Sequence, residues 1–575
     1  MTDALTADEF PAFFHAVHGV SPFPWQERLL RVIADRGSWP SVLDLPTGSG
    51  KTTAALDVAV FHLAMDAHKR EERRAAVRIA FIVDRRLIVD DAHNRAKKIE
   101  TVLAEAARTE TAPEVLRKVS LRLSRLAERK ERPLLARRLR GGVPREDDWA
   151  RTPSQPTILC STVDQVGSRL LFRGYGISDR MKPIHAGLLG SDCLILLDEA
   201  HLAEPFRQTT ASIMKLRSND ETTAPWNVAL LSATPGDRSQ IPFSLDAEDR
   251  THEVLARRLN ASKPAALIEI AGKQGVPVEN HRIEEIANHV RRSLEILRQD
   301  FPNPAIGVVV NRVMRARQVF ERLRAELSDT NTTLIIGPAR SIDREELVKR
   351  DLQPIRTGQQ RDLERPLIVV ATQTIEAGVD IDFDGLVTEA AALDSLRQRF
   401  GRLNRAGRDI VPVGTILAHK EDVGSRVDDP VYGDRIRSTW SALKEVAAES
   451  SENFVEFGTA GFPNRLAENS NDLAAKKEDA PILLPAYADL WSQTSPIPNA
   501  DPEVSLFLHG AERSPASVQI IWRADIADDD LDDRDRVAAL LDVVTPRSTE
   551  AIEIPLWAVE LGSGRTLQRR SLFPT

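Results

Sequence analysis

The chain is poor in cysteine: Cys160 and Cys193 are the only two in 575 residues. Each sits inside an apolar, strand-like run, and neither has a Cys or His neighbour at ligand spacing. That argues against a disulfide framework and against a cysteine-built zinc site, and suits small core residues in a reducing cytoplasm. Long hydrophobic runs are also missing. None approaches the ~20 residues that a bilayer-crossing helix needs, so no membrane span is expected. The opening Met1-Thr2-Asp3-Ala4-Leu5 has no basic stretch followed by an apolar core, so no secretory signal is expected. An excess of basic charge is absent too. With a net charge of -8, any nucleic acid must be met by a local gathering of Lys and Arg. There is no internal repeat and no low-complexity tract. What remains, 42% hydrophobic and 28% charged residues, describes an ordinary soluble globular protein with room for about three or four domains.

The most informative stretch is Pro46-Thr47-Gly48-Ser49-Gly50-Lys51-Thr52. It follows the strand-like Val42-Leu43-Asp44-Leu45 and opens into the helix-like Thr53-Ala54-Ala55-Leu56. Glycines at 48 and 50 let the backbone curl and aim N–H groups at phosphate oxygens, and the helix N-terminus adds partial positive charge. Lys51 is placed to reach the β and γ phosphates of ATP, and the Thr52 hydroxyl to hold Mg²⁺. Upstream, Trp25-Gln26 pairs an aromatic with an amide that both donates and accepts, which suits adenine recognition.

Residues 77–84 predict a buried parallel strand with Arg85 and Arg86 at its C-terminal end, where open α/β sheets carry their ligands. Both arginines are candidates to grip nucleic-acid phosphates. Residues 113–145 hold eleven Lys/Arg against three Glu and no Asp, and their leucine spacing predicts helices with a basic exterior. This reads as an insertion, either a DNA-facing wall or a solvated helical pair. Strand 158–162 ends in Thr162, a further candidate for nucleic-acid contact. Cys193 to Leu197 runs into Asp198-Glu199-Ala200-His201, where Asp198 would join Thr52 around Mg²⁺ and Glu199 would polarise the attacking water.

A second α/β pattern begins at Ile306 and continues through 334–337 and 366–370. In the run 371–382, Thr372 could meet nucleic-acid phosphate, Gly378 permits close backbone approach, and Asp380 could meet the ribose. In Gln398-Arg399-Phe400-Gly401-Arg402-Leu403-Asn404-Arg405, the arginines at 402 and 405 are three apart, so a helix would put them on one face. Presented across a cleft they would act as arginine fingers, with Gln398 orienting the water. Seven aspartates between Asp525 and Asp535 lack an ordered metal-ligand spacing and read as a solvated acidic loop.

Taken in order, these motifs span residues 22–410 and resemble superfamily 2 DExH helicases. The run from Val369 to Asp384, the stretch Gln398–Arg405 with Asn404 where other DExH helicases have Gly, and Phe23-Pro24-Trp25-Gln26 are similar to the helicase-nuclease of type I CRISPR systems. Leu506–Gly510 and Ile521–Asp525 lean towards its subtype I-G, formerly I-U. The resemblance implies an α/β fold with two RecA-like parallel-sheet domains in tandem and a C-terminal accessory region. The expected bounds are 1–245 for the first domain, with a basic helical insertion at about 101–156, then 246–445 and 446–575.

The resemblance also implies an ATP-driven 3′ to 5′ translocase on single-stranded DNA, recruited by a CRISPR surveillance complex, and a nuclease built on a His-Asp motif. None of the twelve histidines here is followed by Asp, so a nuclease is expected beyond Thr575 or on a separate protein. Three other readings stay open: a DExH RNA helicase, a restriction-system DNA translocase, and an ATP-gated clamp that holds DNA without unwinding it.

Overall fold

A computed structural model describes residues 4–559, apart from 70, 85, 129–130, 142–146, 218–223, 233–240, 377–379, 425–428, 451–452, 512–516, 524, 531, 545–549 and 557–558. Strands β1 (Val42–Asp44), β2 (Arg78–Val83), β3 (Leu135–Leu139), β4 (Thr157–Thr162), β5 (Cys193–Asp198), β6 (Trp226–Ser232) and β7 (Phe243–Ser244) make one sheet. Its order is β3-β4-β2-β5-β6-β1-β7, and every pairing is parallel. The central β2, β4 and β5 are buried along their whole length, as parallel strands covered by helices on both faces must be. Cys160 and Cys193 sit inside two of them, and burial pushes the Cys193 thiol up to about 12.

A second seven-stranded sheet is built from β8 (Pro264–Ile270), β9 (Ala305–Val309), β10 (Asn331–Ile335), β11 (Leu367–Ala371), β12 (Gly385–Glu389), β13 (Val413–His419) and β14 (Phe454–Glu456). The order is β10-β11-β9-β12-β13-β8-β14, parallel except for β14 against β8. Two α/β sheets in tandem with a further C-terminal region are thus the architecture, including a small antiparallel pair, β15 (Ser517–Ile520) and β16 (Ile552–Pro555).

Two expectations need correction. The stretch 101–156 is not a purely helical insertion: after the helix Glu114–Ala127, Leu135–Leu139 joins the first sheet as its edge strand. Its central arginines are not displayed as a wall, because Arg137 pairs with Asp148 and Arg138 with Asp90. The second sheet also reaches past residue 445, since β14 closes its edge.

The chain crosses between the two sheets twice. Helices Ala247–Thr251 and Glu253–Leu259 still pack on the first domain, through the buried Leu255 and Leu259, before β8 begins the second. Later, residues 483–508 return to the first domain, where Leu483, Trp491, Val504, Phe507 and Leu508 join its core. Each fully buried large side chain contributes about 1.5–3 kcal/mol. Arg173 adds a bond to the Trp491 carbonyl at 2.7 Å and an ion pair to Asp501 at 2.8 Å.

Two buried histidines of the first domain make its stability sensitive to acid. His185 Nδ1 accepts from Arg169 Nε at 3.2 Å, so its ring must stay neutral. Burial, and then Arg169, pushes it down to about 4, and burial does the same to His62. A depressed histidine favours the fold above its ordinary value of 6.5, and that contribution is lost as pH falls from 6.5 towards about 4. The melting temperature should therefore fall steadily across that window. A His62→Leu, His185→Phe variant should show a smaller fall; an identical pH profile for both proteins would reject the assignment.

Candidate active site

The helix Lys51–Met65 starts immediately after the glycine loop, with Gly48 at φ 90° and Gly50 at φ 79°. Both angles lie in the left-handed region that side chains resist, which is why glycine stands there. The loop is braced from behind. Trp25 is fully buried and its Nε1 donates to the Ser49 carbonyl at 3.0 Å, while Ser49 Oγ donates to the Pro46 carbonyl at 2.8 Å.

This loop forms one wall of a cleft of about 670 Å³ between the two domains. Thr47, Gly48, Gly50, Lys51, Asp198 and Glu199 face it from the first domain, and Asp380, Arg402 and Arg405 from the second. Lys51 Nζ lies 3.7 Å from Glu199 Oε2, too far for a hydrogen bond. Among the described residues, Lys51 Nζ and Arg405 Nη1 are buried and have no hydrogen-bond partner. Two buried cationic donors on opposite walls of one cleft call for an anion.

The electrostatics agree. Burial opposes ionisation of Glu199, yet the charge of Lys51, joined by Arg402 and Arg405, outweighs it and holds its carboxyl below the usual range. Burial, followed by the charge of Arg405, pushes the Arg402 guanidinium down to about 9. Arg402 Nε and Nη2 donate to the carbonyls of Ile375 and Glu376 at 3.2 and 2.8 Å. Arg405 Nε donates to Asp380 Oδ1 at 2.7 Å.

The two arginines do not share a helix face. The helix Leu393–Phe400 has already ended, and Arg402 to Arg405 form a turn that pairs with Phe383. Asn404 makes this turn with φ at 41°. Its side-chain amide bonds both the N–H and the carbonyl of Arg408, at 2.9 and 3.1 Å. Asparagine tolerates the left-handed region through such local bonds, so a residue with a side chain can make this turn.

Gln398 and Gln26 also differ from expectation. Gln398 does not line the cleft, and its Nε2 sits 2.6 Å from His201 Nε2. Burial keeps His201 below its ordinary value, so the neutral ring can point Nδ1–H towards Glu199 Oε2, 3.5 Å away, and accept from the Gln398 amide. Lys51, Glu199, His201 and Gln398 thus form a continuous line from the first domain to the second. Gln26 is spent on its own helix: Oε1 accepts from the Phe23 N–H at 3.0 Å, and the residue is buried away from the cleft.

Thr162 and Thr372 are buried, at the end of β4 and just after β11. Arg85 and Gly378 lie outside the described residues. Arg86 begins the helix Arg86–Ala106 and Thr52 lies in the first turn of its own helix, but neither side chain is described. Several cleft residues carried no motif signal. His18 and Arg95 both bind the buried Asp57, at 2.6 and 2.7 Å, and Arg356 reaches across the domains to Asp91 at 2.8 Å.

Tandem parallel sheets with a phosphate loop, an Asp-Glu strand end and arginines from the second sheet define a superfamily 2 helicase core. Residues 303–408 match the family model described as CRISPR-associated nuclease/helicase Cas3, C-terminal, and residues 19–235 match Type III restriction enzyme, res subunit. Residues 303–408 thus resemble the corresponding part of Cas3.

The chain is 36% identical over 149 residues to the CRISPR-associated endonuclease/helicase Cas3 of Escherichia coli K12, covering 24% of this chain and 16% of that protein. It is 28% identical over 165 residues to the Streptococcus thermophilus CRISPR-associated nuclease/helicase Cas3, covering 27% and 17%. The crystal structure of T. fusca Cas3-AMPPNP has the same fold, with a TM-score of 0.56 at 16% identity over 96% of this chain and 66% of that one. The chain therefore spans less than two thirds of these relatives.

Proposed function

We propose that this chain is an ATP-driven motor that translocates along single-stranded DNA and unwinds duplexes in CRISPR antiviral defence. The observation that carries the reading is the pair of buried, unbonded donors, Lys51 Nζ and Arg405 Nη1, facing Glu199 from opposite domains. Solved relatives include a Cas3-ATP complex and a CRISPR RNA-guided surveillance complex, which support ATP as the nucleotide and such a complex as recruiter. The outer sequence stretches favour subtype I-G.

Lys51 and the loop N–H groups would hold the β and γ phosphates, and Asp380, which accepts from Arg405, would meet the ribose. Glu199, kept ionised by its cationic neighbours, would accept the proton of the attacking water. Arg402 and Arg405 would meet the negative charge that develops on the transferred group. The donor set suits Mg²⁺, since the Asp198 carboxylate faces the cleft beside the helix turn that carries Thr52. Mg²⁺ would supply neutralising charge there. Thr162 and Thr372, at strand ends in the first and second domains, are our candidates for the DNA backbone, together with Arg85 and Arg86. With no His-Asp dipeptide in the sequence, cutting would come from a nuclease in further sequence or in trans.

Lys51→Ala should lower ATP turnover by at least roughly 10²–10³-fold, the effect of losing one preorganised donor. The melting temperature should hold, because the lost amine makes no hydrogen bond in the fold. Normal turnover by that variant would remove the ATPase reading. The function itself is tested with ATPase assays against DNA and RNA, and with a 3′-overhang duplex. Stimulation by DNA with strand displacement is expected; stimulation by RNA alone would favour an RNA helicase, and DNA binding without displacement a clamp.

A further inference from the structure

A second cavity, of about 300 Å³, lies between the same two domains next to the nucleotide cleft. Thr47 of the phosphate loop lines both spaces. On the side where the γ-phosphate would stand, the second cavity is bounded by His201 and Gln398, the pair in contact at 2.6 Å. Its lining also includes Thr459 and Ala467, both exposed, so it reaches solvent there. Two cations, Lys263 and Arg397, line it beside one carboxylate, Asp394. Neither cation belongs to the motifs that hold nucleotide.

Lys263 is only 6% exposed. Burial first, and then the charge of Arg405, pushes its amine down to about 7. Arg397 is held over the Phe462 ring, 4.7 Å from its centroid, and feels Asp44 and Asp394. A buried lysine and a half-buried arginine in a passage that leads from a phosphate loop to solvent are suited to receive an anion. A phosphate dianion cannot cross a low-dielectric passage without counter-charge.

We propose that this cavity is the exit chamber for inorganic phosphate. The proposal rests on the ATPase reading. In hydrolysis the water oxygen bonds to the γ-phosphorus, the bond to the β–γ bridging oxygen breaks with its electron pair leaving on ADP, and the water's proton passes to Glu199. ADP then still fills the cleft on the loop side, so phosphate is on the side facing His201 and Gln398. Gln398 belongs to the second domain and His201 to the first, so a small relative movement of the domains parts them. Phosphate then passes to Lys263 and Arg397, and leaves between Thr459 and Ala467.

The test is a single turnover of ATP on single-stranded DNA, with cleavage followed by acid quench and free phosphate by a fluorescent phosphate-binding probe. In the unaltered chain release should follow cleavage closely. In a Lys263→Met, Arg397→Met variant, and separately in Ala467→Trp, which plugs the exposed end and keeps both charges, release should lag cleavage by about tenfold. The ratio of the two rates is what is read, so a variant that also slows cleavage still reports. Normal cleavage with prompt release in both variants overturns the exit chamber alone. No cleavage by the unaltered chain removes the ATPase reading, and the proposal with it.

Discussion

Arg402→Gln is expected to bind ATP almost as well as the unaltered chain and to hydrolyse it roughly 10³–10⁵-fold more slowly. The side chain is already fixed by the carbonyls of Ile375 and Glu376, so no ordering remains to be done when charge develops on the transferred phosphoryl group. Glutamine keeps a donor near those carbonyls but loses the charge, which separates a charge effect from a folding one. Nucleotide affinity and melting temperature close to normal, with kcat collapsed, is the expected pattern. A loss of less than about tenfold in kcat would reject Arg402 as an arginine finger.

Glu199→Gln should trap ATP. The amide matches the carboxylate in shape but cannot accept the water's proton, and loss of a positioned base costs roughly 10²–10⁴-fold. The backbone at Glu199 is held at φ 48°, a conformation that costs about 1–3 kcal/mol for a residue with a side chain. Strain of this kind is tolerated where it aims a reacting group, and here it turns the carboxylate towards Lys51. In single-turnover assays the variant should retain labelled ATP without forming ADP. Hydrolysis within a few-fold of normal would show that Glu199 is not the base.

Some of this architecture was legible from the sequence for identifiable reasons. The phosphate loop, β2, β4 and β5 are contiguous runs whose apolar character follows from burial on both faces. β3 was missed because its centre is Arg137-Arg138, and an edge strand satisfies such residues sideways, against Asp148 and Asp90. Gln26 suits adenine by the chemistry of its amide, yet the structure gives the loop-facing task to Trp25. Helical periodicity put Arg402 and Arg405 on one face, but the helix ends first and Asn404 makes the turn that brings them into the cleft. The His201–Gln398 contact joins residues 197 apart, and no local pattern encodes a pairing at that range.

The two crossings of the chain restrict how the cleft can open. A body held by a single tether keeps three rotations. Here the polypeptide passes from one domain to the other at residues 260–264 and returns at residues 474–483, each passage anchored by buried side chains on the first domain. Two linkages limit the separation of the domains more than one could, and a turn of the second domain about either linkage is checked by the length of the other.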